Sequence, residues 1–91
     1  MGLERYKVKS LKSVVEKDLP NLPKTIRLRV QKAIKERLTV DPINFDEPLH
    51  HNLKGRRRLR VGDYRVIYRV NQLDHIVTIT EIGHRDDIYK K

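Results

Sequence analysis

The stretch RRRLRVGDYRVIYRV (56–70) decides the fold, because polar and apolar residues alternate on both sides of a two-residue turn. Successive side chains of a β-strand point to opposite faces of the sheet, so this alternation indicates strands that are buried on one face. Gly62-Asp63 is a typical turn between the two strands of a hairpin. The stretch therefore predicts two adjacent antiparallel strands over 56–61 and 64–70.

The hairpin is predicted to separate its apolar side chains from its arginines. One face holds the residues that we expect to pack against helices, namely Leu59, Val61, Val66, Tyr68 and Val70. The other face holds Arg56, Arg58, Arg60 and Arg65. Guanidinium groups on neighbouring strands repel one another unless an anion lies between them. The pattern therefore predicts a face that binds an anion.

Residues before the hairpin are predicted to form one strand and two helices. Alternation over 4–9 indicates the strand. Apolar residues then recur at helical spacing in two runs, the first being Leu11, Val14, Val15 and Leu19 and the second Ile26, Val30, Ala33, Ile34 and Leu38. Pro20 and Pro23 lie between the runs, so we expect a turn that joins two antiparallel helices.

The rest of the chain is predicted to be a loop, a strand and a short tail. The segment 39–53 contains two prolines and no clear period, which indicates a connecting loop. β-Branched residues over 76–82 predict the last strand, which we expect to end at Gly83. The predicted fold is α+β in the order β-α-α-β-β-β, an antiparallel sheet packed on a helical hairpin in a single domain, 1–91.

The charge of the chain indicates a polyanionic partner. Its 91 residues include 21 Lys and Arg against 12 Asp and Glu, and the formal net charge is +9. Basic residues, most of them Arg, crowd the segment 54–69, and the planar guanidinium fork suits phosphate. This segment lacks the apolar face of a membrane-surface helix. We therefore expect nucleic acid, and no membrane, as the partner.

The sequence also predicts the compartment and the absence of a cofactor. It contains no cysteine, so neither a disulfide nor a thiolate metal site is possible, and this fits a reducing compartment. The N-terminal residues lack the apolar stretch of a secretory signal. His50-His51 is an adjacent pair without thiolate ligands, a poor match to a metal site. We expect a cytoplasmic protein that uses no metal and no cofactor.

Three short motifs occur in order along the chain: Lys54-Gly55 followed by Arg58, then RVGDYRVIYRV (60–70), then EIGHRDDIY (81–89). Together they resemble the RelE/ParE superfamily of bacterial toxins, and the predicted order of strands and helices is similar to that superfamily too. The resemblance implies a fold like that of microbial ribonucleases. It also implies a toxin that cleaves messenger RNA on the ribosome and is silenced by a cognate antitoxin.

Two other functions stay open on the same resemblance. ParE-like members share the fold but poison DNA gyrase. A catalytically weak member would keep the fold and the capture of an antitoxin without cutting RNA. ParE-like members generally lack the set of site residues described next. The presence of this set therefore favours cleavage of RNA, a reaction that needs no metal.

The resemblance implies catalytic roles for basic residues on the central strands, an Arg after the last strand and a Tyr near the C-terminus. In this chain these residues are Arg56, Arg58, Arg65, Arg85 and Tyr89. We further expect RNA binding by Lys54, Arg57, Arg60 and Arg69. RelE itself has lysines at the positions of Arg56 and Arg58, and Arg, unlike Lys, does not release its proton to act as a base.

The general base must therefore be another residue. His84 is our hypothesis, because imidazole exchanges a proton near neutral pH. Glu81 is the alternative. Alternation along the last strand places it on the other face from its neighbour Ile82, towards the arginines. Arg58 and Arg65 would stabilise the pentacoordinate phosphate. Arg85 would stabilise charge on the leaving oxygen, and Tyr89 would stack on a base or position the 2′-hydroxyl.

Overall fold

The computed structural model describes residues 5–43, 47–48 and 55–88. Its strands are β1 (Lys7–Ser10), β2 (Glu47–Pro48), β3 (Arg57–Val61), β4 (Tyr64–Asn71) and β5 (Ile76–His84). Its α-helices are α1 (Lys24–Ala33) and α2 (Arg85–Ile88), and two π-helical segments cover Val14–Asp18 and Ile34–Leu38. The first π-helical segment and α1 with its π-helical continuation correspond to the two predicted helices.

The five strands form one sheet in the order β1-β5-β4-β3-β2. The predicted hairpin is confirmed, since Val61 pairs with Tyr64 across the Gly62-Asp63 turn. The α+β class is confirmed as well, although the sheet is mixed and not antiparallel throughout, because β1 runs parallel to β5. A two-residue turn forces the strands that it joins to be antiparallel. The helices connect β1 to the next strand along the chain, so β1 can run parallel to its neighbour β5.

The segment 39–53 is not only a loop. Its residues Glu47 and Pro48 form β2 and pair antiparallel with Arg58 and Arg57. A two-residue strand that contains Pro is too short to show alternation in the sequence. It forms because β3 offers a strand to pair with, so the sequence of the segment alone does not predict it. β2 lies at the edge of the sheet, where Pro is tolerated.

The first predicted helix has a different register from the expected one. The amide of Leu19 donates to the carbonyl of Val14 at 2.9 Å, an i→i+5 bond that adds one residue to the turn. Val14 is therefore fully buried and Leu19 packs on the core, while Leu11 and Val15 stay 40% and 54% exposed. The prediction of one apolar stripe through all four residues of this run was wrong for Leu11 and Val15, since the i→i+5 bond brings Leu19 round to the side of Val14.

The core lies between the helices and one face of the sheet. All five hairpin residues predicted to face the helices do so, with Val70 only partly buried. The hydroxyl of Tyr68 donates to the carbonyl of Pro42 at 2.6 Å inside the protein, which ties β4 to the chain leaving the helices. No helix in the described part of the chain is long and apolar enough to cross a membrane.

The last strand is longer than predicted and contains a bulge. Ile67 pairs with Glu81 and Tyr68 with Ile79, so Thr80 is an extra residue on β5. The strand continues through Gly83 to His84, which pairs with Tyr64. A Cβ on Gly83 would lie 3.4 Å from Cδ1 of Ile88, so the side chain of Ile88 packs over this glycine. The prediction that Gly83 ends the strand was wrong.

Candidate active site

The face of the sheet turned away from the helices carries Arg58, Arg60, Arg65 and Arg69, and we call it the arginine face. The register places Arg60 directly opposite Arg65, and it places Arg58, Ile67 and Glu81 in one row across three strands. Directly opposed Cβ atoms lie about 4.5–5.5 Å apart. Three of the four arginines predicted for this face, Arg58, Arg60 and Arg65, are therefore on it. The register also places two acidic residues, Glu47 of β2 and Glu81 of β5, in the row of Arg58.

Arg65 is the buried member of this face. It is 5% exposed, whereas Arg58 is half-buried and Arg60 and Arg69 are exposed. Its Nη1 donates to the carbonyls of Gly62 and Tyr64, each at 2.9 Å. Its Nε is buried without an acceptor, and no described carboxylate forms an ion pair with it. Burial of an unpaired charge is costly, so an anion beside Arg65 would stabilise this arrangement.

The Gly62-Asp63 turn holds two of the predicted catalytic residues at once. Arg65 donates to the carbonyl of Gly62, and the amide of Arg85, the first residue of α2, donates to the carbonyl of Asp63 at 2.8 Å. Gly62 has a φ of +58°, which suits the first central residue of a II′ hairpin turn. The backbone of this turn thus fixes where the guanidinium of Arg65 lies and where α2 begins.

Replacement of Gly62 by alanine is expected to lower the free energy of unfolding by about 1–2 kcal/mol, because a Cβ disfavours positive φ. Space is not the cause, since the new Cβ would lie 3.5 Å from the flexible end of Arg29. Asp63→Ala is the matched control in the same turn, and we expect a change within about 0.5 kcal/mol. Urea denaturation measures both variants. Equal stability of Gly62→Ala and the parent would contradict the role given to this turn.

His84 lies on the other face of the sheet from the arginines. Its partner in the register is Tyr64, which packs on the core, and the two rings meet edge to face with centroids 5.3 Å apart. Its Nδ1 accepts a hydrogen bond from the amide of Asp86 at 3.1 Å. The structure therefore does not bring His84 together with Arg58 and Arg65. Glu81 does lie on their face, so it is the better placed of the two candidate bases.

The backbone of Arg85 is held by its hydrogen bond to Asp63, whereas its side chain lies at the surface. Its Nε lies 3.8 Å from Oδ1 of Asp86, and both side chains are more than half exposed. An ion pair as exposed as this one restrains a side chain weakly. Ile88 reaches the arginine face, since it packs over Gly83, the partner of Arg65 in the register. The short helix α2 therefore places Arg85 beside the end of the arginine face.

Comparisons with known proteins agree with this geometry. Residues 10–89 match the family model of the ParE toxin of type II toxin–antitoxin systems. Toxin RelG of Mycobacterium tuberculosis is 32% identical over 79 residues, which cover 87% of this chain and 91% of that toxin. The chain belongs to the RelE/ParE toxin family. It is a toxin of the type II toxin–antitoxin class.

Solved structures agree with the assignment to the RelE/ParE family. The toxin–antitoxin complex RelBE2 from Mycobacterium tuberculosis contains a chain that matches with a TM-score of 0.84 at 28% identity, over 92% of this chain and 95% of that one. The archaeal RelE–RelB complex from Pyrococcus horikoshii matches with a TM-score of 0.68 at 34% identity, over 88% of this chain and 94% of that one. The RelE-like fold expected from the resemblance is confirmed.

The structure does not place the remaining predicted site residues of this RelE/ParE toxin on the arginine face. Arg57 lies with Tyr68 on the helix side, and its Nη1 donates to the carbonyl of Ile43 at 3.4 Å, so it is not on the arginine face. Arg56 directly precedes β3 and is half-buried. Lys54 and Tyr89 lie outside the described residues.

Sequence reasoning missed one polar residue beside the site of the toxin. A carboxylate oxygen of Asp18 accepts the amide of Ile82 at 2.9 Å, which satisfies the edge of β5 beyond the end of β1. Asp18 also lines a cleft of about 260 Å³, and both candidate bases, Glu81 and His84, are among its other lining residues. Glu81 and Gly83, which belong to the arginine face by the register, line this cleft too, so the cleft borders that face. No pattern in the sequence indicates a contact between residues 64 positions apart.

Proposed function

We propose that this toxin is a metal-independent endoribonuclease of the cytoplasm that cuts messenger RNA on the ribosome. The observation that carries the proposal is the arrangement around Arg65, a buried guanidinium with no described carboxylate partner beside three further arginines of one sheet face. A phosphodiester supplies the missing negative charge. Rigid strands hold these donors before the substrate arrives, which is how preorganised groups lower the barrier to phosphoryl transfer.

The reaction that this face supports is attack by the 2′-hydroxyl of the RNA itself. Glu81 takes the 2′ proton, the 2′ oxygen bonds to phosphorus, and the bond from phosphorus to the 5′ oxygen breaks. Arg58 and Arg65 stabilise the extra charge on the pentacoordinate phosphate. Arg85 stabilises charge on the leaving 5′ oxygen, which takes its proton from water. The products are a cyclic 2′,3′-phosphate and a free 5′-hydroxyl.

A cognate antitoxin is the proposed partner that silences the reaction. The similar solved structures from Mycobacterium tuberculosis and Pyrococcus horikoshii are toxin–antitoxin complexes, which supports such a partner for this chain. Acidic groups of an antitoxin would neutralise part of the +9 charge. Since an antitoxin of this kind binds the folded toxin, the melting temperature should rise in its presence.

The experiment that tests the proposal is cell-free translation followed by primer extension on the message. We expect the wild-type toxin to produce new 5′ ends within the translated frame. Ribosome dependence is checked by the same message without ribosomes, where we expect no cleavage. Intact message in the translating reaction with folded wild-type toxin would exclude the proposal.

Inhibition of DNA gyrase is a second candidate function, because the family model that matches residues 10–89 is that of the ParE toxin. A gyrase inhibitor needs no phosphate site of its own, so this function would leave the environment of Arg65 unexplained. A supercoiling assay with purified gyrase separates the two functions. Blocked supercoiling together with intact message would favour gyrase inhibition.

A further inference from the structure

We infer that a second site for RNA phosphate lies on the helix side of the sheet, next to the arginine face. A cleft of about 330 Å³ lies between α1, its π-helical continuation and the end of β3. Its lining contains the cations Arg29, Lys32, Arg37 and Arg60 and one carboxylate, Glu36. We call it the helix-side cleft. The inference rests on the proposed function and extends it, because it states how the toxin holds RNA beyond the phosphate that is cut.

The helix-side cleft is continuous with the arginine face. Arg60 belongs to the arginine face by its pairing with Arg65, and it also lines the cleft. Gly62 lines the cleft as well, and its carbonyl accepts the bond from Arg65. The guanidinium of Arg29 lies 3.5 Å from the place where a Cβ of Gly62 would stand. The two surfaces therefore meet at the Gly62-Asp63 turn, and one RNA strand can contact both.

The cations of the cleft are poorly compensated within the protein. Arg29, Lys32, Arg37 and Arg60 are all exposed, and none forms an ion pair with another described residue. Cations brought together on a concave surface raise the local concentration of a polyanion. Phosphodiesters match this lining because each guanidinium can donate two parallel hydrogen bonds to one phosphate.

RNA fits this lining better than a peptide does. The apolar side chains in the cleft are those of Ala33 and Val61, too few to anchor a protein segment, whose contacts centre on large apolar groups. A separate groove of about 290 Å³ contrasts with it, since Val8, Leu19, Ile34 and Ile79 line that groove. The phosphate that enters the helix-side cleft belongs either to the message or to ribosomal RNA.

The test compares a double variant of the cleft with a matched double variant elsewhere. Arg29→Gln with Arg37→Gln removes two cations of the cleft. Lys12→Gln with Lys17→Gln removes the same charge at or next to the first π-helical segment, where both lysines are exposed and line neither the cleft nor the arginine face. The first probe is an oligouridylate dodecamer with 2′-O-methyl groups, which keeps every phosphate and cannot be cut by 2′-hydroxyl attack. The second probe is a trimer of the same chemistry.

We expect the cleft variant to flatten the dependence of log affinity on log salt by about 1.4, at about 0.7 for each phosphate of a single strand that the protein no longer neutralises. The ratio of the wild-type affinity for the dodecamer to that of the variant should then fall about 7-fold between about 50 and about 200 mM salt. The trimer, which is too short to contact both surfaces, should bind to both proteins alike. The control variant should keep the wild-type salt dependence.

The two sources of phosphate give different results. If the message supplies it, the cleft variant loses affinity for the dodecamer. If ribosomal RNA supplies it, dodecamer binding is unchanged and sedimentation with ribosomes that carry a message is weaker than for the control variant. Equal binding by the cleft and control variants to both dodecamer and ribosomes would overturn the inference. A loss confined to an oligoglutamate peptide would also overturn it, since the cleft would then bind protein.

Misfolding and failure of the proposed function can both be separated from these outcomes. Melting curves check that the cleft and control variants fold equally well. Cleavage of the message by the wild-type toxin decides the proposed function by itself. A wild-type toxin that cuts the message while the cleft variant binds RNA and ribosomes like the control would disprove the second phosphate site alone.

Discussion

Replacement of Arg65 by glutamine is expected to lower the rate of message cleavage about 10²–10³-fold, the usual effect of removing one preorganised donor from a site of developing negative charge. Arg65 is the buried arginine of its sheet face, and two main-chain carbonyls hold its Nη1. Its guanidinium therefore needs little reorganisation when charge develops on the phosphate. Single-turnover cleavage in the translation reaction, followed by primer extension, measures the loss.

Stability must be measured beside activity for this variant. Glutamine cannot bridge the carbonyls of Gly62 and Tyr64 as arginine does, and the loss of each of these part-buried hydrogen bonds costs about 0.5–1.5 kcal/mol. Cleavage is therefore compared at a temperature where urea titration shows the variant to be folded. Arg65→Lys keeps the charge but lacks the planar fork, so we expect its activity to stay low as well.

Arg69→Gln is the matched control for Arg65→Gln. Arg69 lies on the same strand and the same face, but it is exposed and remote from the turn. We expect its cleavage rate to stay within a few-fold of the wild type. If a folded Arg65→Gln protein cleaves as fast as Arg69→Gln, Arg65 only stabilises the structure of the hairpin and does not take part in cleavage.

Replacement of Glu81 by glutamine is expected to lower the cleavage rate about 10²–10⁴-fold, the usual contribution of a general base. Glu81 lies in one cross-strand row with Arg58 and Ile67, so its carboxylate and the arginines share a face. Glutamine keeps the size and the hydrogen-bonding groups of the side chain but cannot take a proton at neutral pH. The loss should therefore appear in the chemical step, with binding of uncleavable RNA unchanged.

His84→Gln separates the two hypotheses about the base. His84 shares the opposite face with Tyr64, and we expect its removal to leave the rate of chemistry within a few-fold of the wild type. The informative readout is the pH profile of single-turnover cleavage for each variant. The reverse pattern, a large loss in His84→Gln and little in Glu81→Gln, would refute this assignment of the base.

Most of the sheet could be predicted because its signals are local. Alternation in 56–70 and the Gly62-Asp63 turn determine a hairpin whichever elements surround it. The same alternation predicts which side of β3 and β4 faces the helices. Three members of the arginine face, Arg58, Arg60 and Arg65, could therefore be predicted, although the burial of Arg65 could not.

The errors concern features that depend on distant residues. Gly83 was expected to end β5, yet Ile88 packs against it and the strand continues to His84. That continuation determines the face on which His84 lies, so the extent of the strand is what separates His84 from the arginines. The pairing of Glu47–Pro48 and the i→i+5 bond between Val14 and Leu19 likewise depend on packing with other segments.

The sequence by itself determined the two-stranded hairpin, its apolar and basic faces and the high positive charge, since each follows from neighbouring residues. Tertiary structure alone decided that Arg65 is buried, that β5 continues to His84 and puts it on the other face, and that Arg29 and Arg37 meet Arg60 in one cleft. The physical reason is the range of the interactions. Alternation and turn preference act over a few residues, whereas burial and the grouping of charges depend on which remote segments pack together.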